Sequence, residues 1–286
     1  MHSTSNKTSL SNNQAIGIFD SGVGGLTVFK AVQDLLPDED IIYLGDTARL
    51  PYGTKSAETV NRYALRAAQK LLEYNIKALV IACNTATAAA LTNLQKTYPD
   101  LPVIGVIQPG AEAACQVSKN GNICVLATEG TIRSGAYQQA IKQINATAKI
   151  NGLACPLFVS LAEEGWHEGE IAEAVAKRYL DKIFSVKANI PDTIVLGCTH
   201  FPLLKKAVAK AVGEQVKLVD SALISAQALK KALEDNNLSK NYLKQSPPQS
   251  GTYSFLTTDD TERFARIGSR FLGVELNSKN VTLVDI

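Results

Sequence analysis

Short apolar runs alternate with stretches of helical period along the chain. Ile16–Phe19 is a run of four, followed by a glycine-rich turn and then Val28, Phe29, Val32, Leu35 and Leu36 on one helical face, closed by Pro37. Ile41–Leu44 predicts a second strand. Val60, Ala64, Ala67 and Leu71, spaced by three and four, predict a long helix. Ala78–Ala82 and Val103–Ile107 predict a third and a fourth strand. Strands this short and uniformly apolar, alternating with helices, predict a parallel sheet covered on both faces.

The pattern then restarts, with strands predicted at Ile123–Leu126, Leu157–Val159, Thr193–Leu196 and Val216–Val219. The segment Ala78–Thr85 (ALVIACNT) resembles Asp192–Thr199 (DTIVLGCT), their cysteines lying 115 residues apart (83 to 198), and the first strands of the two halves lie 107 apart (16 to 123). A single repeat of this size predicts two similar α/β domains, each with a mostly parallel sheet flanked by helices and the site in the cleft between them; solenoid periods are ~20–50 residues. The tail has a polar stretch from Glu234 to Ser250 with Pro247-Pro248, read as a loop. A strand at Thr252–Leu256, a helix carrying Phe264, Ile267, Gly268, Phe271 and Leu272, and a strand at Val281–Val284 follow it. With little core of its own, the tail is expected to pack back on the first domain. The predicted division is a flexible extension 1–14, a first domain 15–110 plus 222–286, and a second domain 111–221.

Composition narrows the function classes. Apolar residues are 45% and charged residues 20% of 286, a globular balance. Lys and Arg number 29 against 27 Asp and Glu, so nucleic acid is not indicated as a partner. The apolar stretch near 76–91 is broken by Asn84, Thr85 and Thr87, which argues against a membrane span. Residues 1–14 lack the apolar core of a secretory signal, so a cytoplasmic location with reduced cysteines is expected. The five cysteines contain no C-x-x-C and the three histidines no ligand-like spacing, so a zinc site is not supported.

In a parallel sheet, ligands bind beyond the carboxyl ends of the strands. Those ends carry Asp20-Ser21-Gly22-Val23-Gly24-Gly25, Gly45-Asp46-Thr47 with Pro51-Tyr52-Gly53, and Cys83-Asn84-Thr85. In the second half they carry Thr128-Glu129-Gly130-Thr131, Glu163-Glu164 and Cys198-Thr199-His200. The glycine turn has neither dinucleotide nor Walker spacing and, taken alone, reads as a tight strand-to-helix turn. Cys83 and Cys198 are more informative, because they hold equivalent places in the two halves and each precedes a helical pattern, where thiolate is favoured. Two opposed thiols suit inversion of a stereocentre: one removes a proton and the other returns one to the opposite face. Cys115, Cys124 and Cys155 have no such partner and read as structural. Asp20 fits a turn or helix cap as well as a group polarising the first thiol, and His200 fits a surface residue as well as one assisting the second. Glu163 and Glu164 fit a helix start, and Asn84, Thr85 and Thr199 offer donors to a carboxylate.

The segments IGIFDSGVGGLTV (16–28), YLGDTARLPYG (43–53), ALVIACNTATA (78–88), VIGVIQPG (103–110), ATEGTIRSGAY (127–137) and GCTHFPLL (197–204) together resemble the glutamate racemases of the cofactor-independent aspartate/glutamate racemase superfamily. The resemblance covers nearly the whole chain. It implies Cys83 and Cys198 as catalytic, with Asp20 assisting Cys83, and His200 and Glu163 assisting Cys198. It also implies substrate contacts at Asp20, Ser21, Pro51, Tyr52, Gly53, Asn84, Thr85, Thr128, Thr199 and His200. The implied activity interconverts L-glutamate and D-glutamate for peptidoglycan synthesis, Cys198 acting on the L and Cys83 on the D enantiomer. It further implies no pyridoxal phosphate, nucleotide or metal, a homodimer, and in some members activation by a peptidoglycan precursor. One departure is Ser160, where the family often has proline. Rival readings are racemisation of another amino acid, a two-lobed binding protein without chemistry, and a thiol redox protein.

Overall fold

The computed structural model describes residues 10–185, 190–240 and 250–286. The first half runs β1 (Ile16–Asp20), α1 (Leu26–Leu35), β2 (Ile41–Gly45), α2 (Ala57–Leu72), β3 (Ala78–Ile81), α3 (Asn84–Thr97), β4 (Val103–Gly105) and α4 (Ile107–Val117). The second runs β5 (Asn122–Ala127), α5 (Glu129–Ser134), α6 (Ala136–Ile144), β6 (Lys149–Ala154), α7 (Pro156–Glu164), α8 (Glu170–Phe184), β7 (Thr193–Gly197), α9 (Lys205–Val212) and β8 (Lys217–Asp220). The chain closes with α10 (Ser221–Asp235), β9 (Tyr253–Thr257), α11 (Thr261–Leu272) and β10 (Val281–Leu283).

Two parallel sheets form, ordered β10-β9-β2-β1-β3-β4 and β6-β5-β7-β8. The order β2-β1-β3-β4 recurs in β6-β5-β7-β8, which accounts for the sequence repeat. In each unit the cysteine follows the strand beside the central one, so both thiols emerge at carboxyl ends of sheets. β1, β3 and β7 are buried at every position, as expected of strands covered on both faces. The fold is α/β, with helices on the sheets. The tail strands extend the first sheet beyond β2, β9 pairing with β2 from Ile41↔Tyr253 to Gly45↔Thr257. They bring Tyr253 and Phe255 against Phe29, whose ring lies 5.6 and 5.1 Å from theirs. Such aromatic pairs contribute ~0.5–1.5 kcal/mol beyond area burial. α10 packs on α1 and α4.

Several expectations are corrected. Leu157–Val159 is not a strand but part of α7: Pro156 occupies the first helical turn, where its missing N–H costs nothing, and starts the helix. The strand of that position is β6, which ends at Ala154, before Leu157. Its sequence KINGLA forms a sheet edge with no fully buried residue, so it lacks an apolar run. β4 stops at Gly105, and Ile107 already belongs to α4. Glu234 and Asp235 end α10 rather than start a loop, while 241–249, with Pro247-Pro248, lie outside the described residues. Of the extension, 1–9 lie outside them too. Leu10 packs on the core, and the Asn12 carbonyl accepts a 2.7 Å hydrogen bond from buried Lys77.

Candidate active site

β3 delivers Cys83 to the N-cap of α3, where its sulfur accepts from Ala86 N at 3.5 Å and lies 3.6 Å from the Ser21 hydroxyl. β7 delivers Cys198, but Thr199, His200 and a 3-10 turn at Phe201–Leu204 separate it from α9. Only the first thiol therefore caps a helix. Nor is Cys83 acidified there. Burial, followed by the charge of Asp20, outweighs the Ala86 and Ser21 hydrogen bonds and pushes this thiol up to about 12.

Asp20 ends β1 and is fully buried. Its carboxylate accepts from Gly22 N at 3.0 Å and from the Thr199 hydroxyl at 3.4 Å, a bond between the two halves. Burial still raises its proton affinity, against those bonds and the attraction of His200.

Behind Cys198 a linear relay forms. The sulfur lies 3.9 Å from His200 Nδ1, and His200 Nε2 lies 3.2 Å from Glu163 Oε1. Burial disfavours a charged imidazole, but hydrogen bonds to Cys198 and Glu163 and the negative groups around it win, pushing His200 up to about 10. Burial opposes the Glu163 carboxylate as well, yet His200 and Arg263 hold it below the usual range. The glycine turn now has a reason tied to this relay. A Cβ on Gly24 would collide with the His200 ring and stand 2.5 Å from Thr199 Oγ1, so the turn admits the ring only without a side chain.

The two thiols open onto one cavity of about 180 Å³. That is below the ~300–1,000 Å³ of drug-sized sites and suits a molecule the size of an amino acid. Ser21, Pro51, Tyr52, Gly53, Cys83, Asn84, Thr85, Thr128, Glu163, Cys198, Thr199 and His200 all line it, and Asp20 lies at the end of the strand that leads into it. Glu163 faces the cavity, whereas Glu164 is exposed. Sequence reasoning missed Leu50 and Val159 as lining residues and gave Gly22 and Ser160 no contact role. Val159 and Ser160 sit four and three residues before Glu163, so reading 156–164 as a helix reveals all three on one face.

The binding groups are polar and pre-arranged. Tyr137 donates to Asn84 Oδ1 at 2.8 Å, which fixes the amide, and Asn84 Nδ2 is buried without a hydrogen-bond partner. An orphaned buried donor costs about 1–3 kcal/mol. Thr85, Thr128 and Thr131 join hydroxyls across the halves at 2.9–3.1 Å. Cys124 and Cys155 are fully buried away from the cavity lining, and Cys115 is partly exposed. Among the described residues no group of three or more His, Cys, Asp and Glu side chains is arranged to hold a metal ion, and no helix is long and apolar enough to cross a membrane.

A small cavity with a thiol from each of two repeated α/β units defines an enzyme built to address one small molecule from two sides. The family model described as Asp/Glu/Hydantoin racemase matches residues 26–229. A glutamate racemase of Geobacter metallireducens is 51% identical over 263 residues, covering 92% of this chain and 94% of the relative. The crystal structure of Francisella tularensis glutamate racemase in complex with D-glutamate superposes with a TM-score of 0.85 at 39% identity, covering 96% and 98% of the two chains. That of the Escherichia coli enzyme, in complex with L-glutamate and the activator UDP-MurNAc-ala, has a TM-score of 0.72 at 31% identity, covering 90% and 95%. This chain belongs to the Asp/Glu/Hydantoin racemase family and is an isomerase.

Proposed function

We propose that the chain interconverts L-glutamate and D-glutamate by two-base proton transfer at the α-carbon. The observation that carries this reading is the pair Cys83 and Cys198 on one cavity, each at the end of the same strand of a repeated unit. In the L-to-D direction, the Cys198 thiolate takes the α-proton while the His200 imidazolium hydrogen-bonds its sulfur. Cys83, held as a thiol by burial, gives its proton to the opposite face of the carbanion. The turnover leaves Cys198 as thiol and Cys83 as thiolate. The reverse reaction exchanges the roles, with Asp20, whose proton affinity burial raises, assisting Cys83. Asn84, Thr85, Thr128, Ser21 and Thr199 hold the substrate carboxylates, and Pro51, Tyr52 and Gly53 close the cavity wall.

The product D-glutamate serves peptidoglycan synthesis in the cytoplasm. A homodimer, and activation by a peptidoglycan precursor, belong to the same reading; the E. coli structure holds the activator UDP-MurNAc-ala. So does a division into 15–110 with 222–286 against 111–221, supported by the repeated strand order. The test is deuterium incorporation at the α-carbon in deuterated water, starting from either enantiomer, with no cofactor added. Exchange with inversion from both supports the reading. Inversion of aspartate at a rate within tenfold of glutamate would reassign the substrate, because losing one charge-assisted hydrogen bond costs about 1.5–3 kcal/mol.

A further inference from the structure

The tail helix α11 grips the relay from outside the cavity. Arg263 Nη2 donates to Glu163 Oε2 at 3.3 Å, on the oxygen that His200 leaves free. One turn pair further on, Arg270 Nη1 donates to the Glu163 backbone carbonyl. That carbonyl belongs to the last turn of α7, where helical carbonyls lack partners inside the helix and a cation is favoured. Gly165, at φ +79°, ends α7 with no side chain, and a Cβ there would stand 3.2–3.4 Å from the Arg270 guanidinium. Phe271 meets the His200 ring edge-on, with centroids 5.2 Å apart. Three side chains of one helix thus touch the two members of the relay behind Cys198. None of them lines the cavity, and α11 lies beyond the residues matched by the family model.

We propose that Arg263 and Arg270 are positioning residues for the Cys198 side of the reaction: they set the Glu163 carboxylate, and through it His200, against the thiol. The inference rests on the two-base reading. If Glu163 is held at two points, its carboxylate keeps one oxygen on His200 Nε2, and His200 keeps Nδ1 on the sulfur. Released from α11, Glu163 gains rotamers that leave His200, and proton transfer through Cys198 slows. Among the described residues neither Cys83 nor Asp20 is hydrogen-bonded to either arginine, so the opposite transfer is changed less, through the coupling of the two sides alone.

The experiment compares wild type with Arg263→Gln, Arg270→Gln and Arg263→Lys, using α-deuterated L- and D-glutamate. Arg263 is half-exposed, so its removal is expected to lower kcat about two- to fivefold with KM little changed, and lysine to restore most of it. The discriminating readout is the primary isotope effect. It should grow from L-glutamate and shrink from D-glutamate in both glutamine variants, because the barrier at Cys198 has risen more. A merely structural role changes both enantiomers alike. Equal changes from both, or wild-type isotope effects and kcat in Arg263→Gln and Arg270→Gln, would overturn the proposal. Wild type that fails to invert glutamate at all would instead overturn the two-base reading.

Discussion

Thr199 donates its hydroxyl to Asp20 at 3.4 Å, so a residue next to one thiol is bonded to the buried carboxylate that faces the other. Thr27 adds a second tie by donating to the Thr199 carbonyl at 3.3 Å. The protonation states on the two sides of the cavity are therefore coupled through the protein as well as through the substrate. Asp20 also draws His200 toward its charged form and holds Cys83 toward its neutral one.

Charge on His200 has a pH signature. Its folded value of about 10 exceeds the ordinary 6.5, so between these the folded state holds a proton that the unfolded chain releases. The stabilisation is fully present below about pH 6.5 and lost as pH rises through about 10. Imidazole NMR at pH 8 should find His200 protonated, and Glu163→Gln should lower its titration point. A neutral His200 at pH 8 would contradict the relay.

Tyr137 should act on binding more than on chemistry. Its hydroxyl fixes which way Asn84 points, and Nδ2, buried without a hydrogen-bond partner, is the proposed carboxylate donor. Tyr137→Phe removes one buried hydrogen bond, worth ~1 kcal/mol, so KM should rise about fivefold with kcat nearly kept. Steady-state kinetics with each enantiomer would check this, and an unchanged KM would remove Asn84 as an oriented donor.

Gly24→Ala places a methyl group in the space of the His200 ring. Overpacking costs roughly 1–3 kcal/mol, so kcat/KM should fall at least about fivefold while circular dichroism stays native. Wild-type kinetics in this variant would mean that the ring has room to move without consequence.

The legible parts of the chain are those whose signal is local. β1, β3, β5 and β7 are apolar runs, and the repeat around Cys83 and Cys198 by itself puts both thiols at strand ends. β6 is not legible because an edge strand needs no apolar run, and α7 reads as a strand because Leu157-Phe158-Val159 is such a run. That error hid Val159 and Ser160 from the cavity lining. The Asn84–Tyr137 bond, the fit of Gly24 to His200 and the grip of Arg263 on Glu163 join residues 53 to 176 positions apart, and no periodicity announces such contacts. The rise of the Cys83 pKa was illegible for another reason: its position at a helix start can be read from sequence, while the depth of its burial cannot.

The central claim is that each thiol serves one face of one α-carbon. Cys83→Ser and Cys198→Ser, each incubated with L- and with D-glutamate in deuterated water, test it most directly by NMR at the α-position. Wild type should place deuterium in newly formed product from either enantiomer. Serine is a far weaker acid and a poor base near neutral pH, so each variant should lose inversion in both directions by roughly 10²–10⁴-fold or more. A folded Cys198→Ser or Cys83→Ser enzyme that inverts glutamate at the wild-type rate would contradict the account.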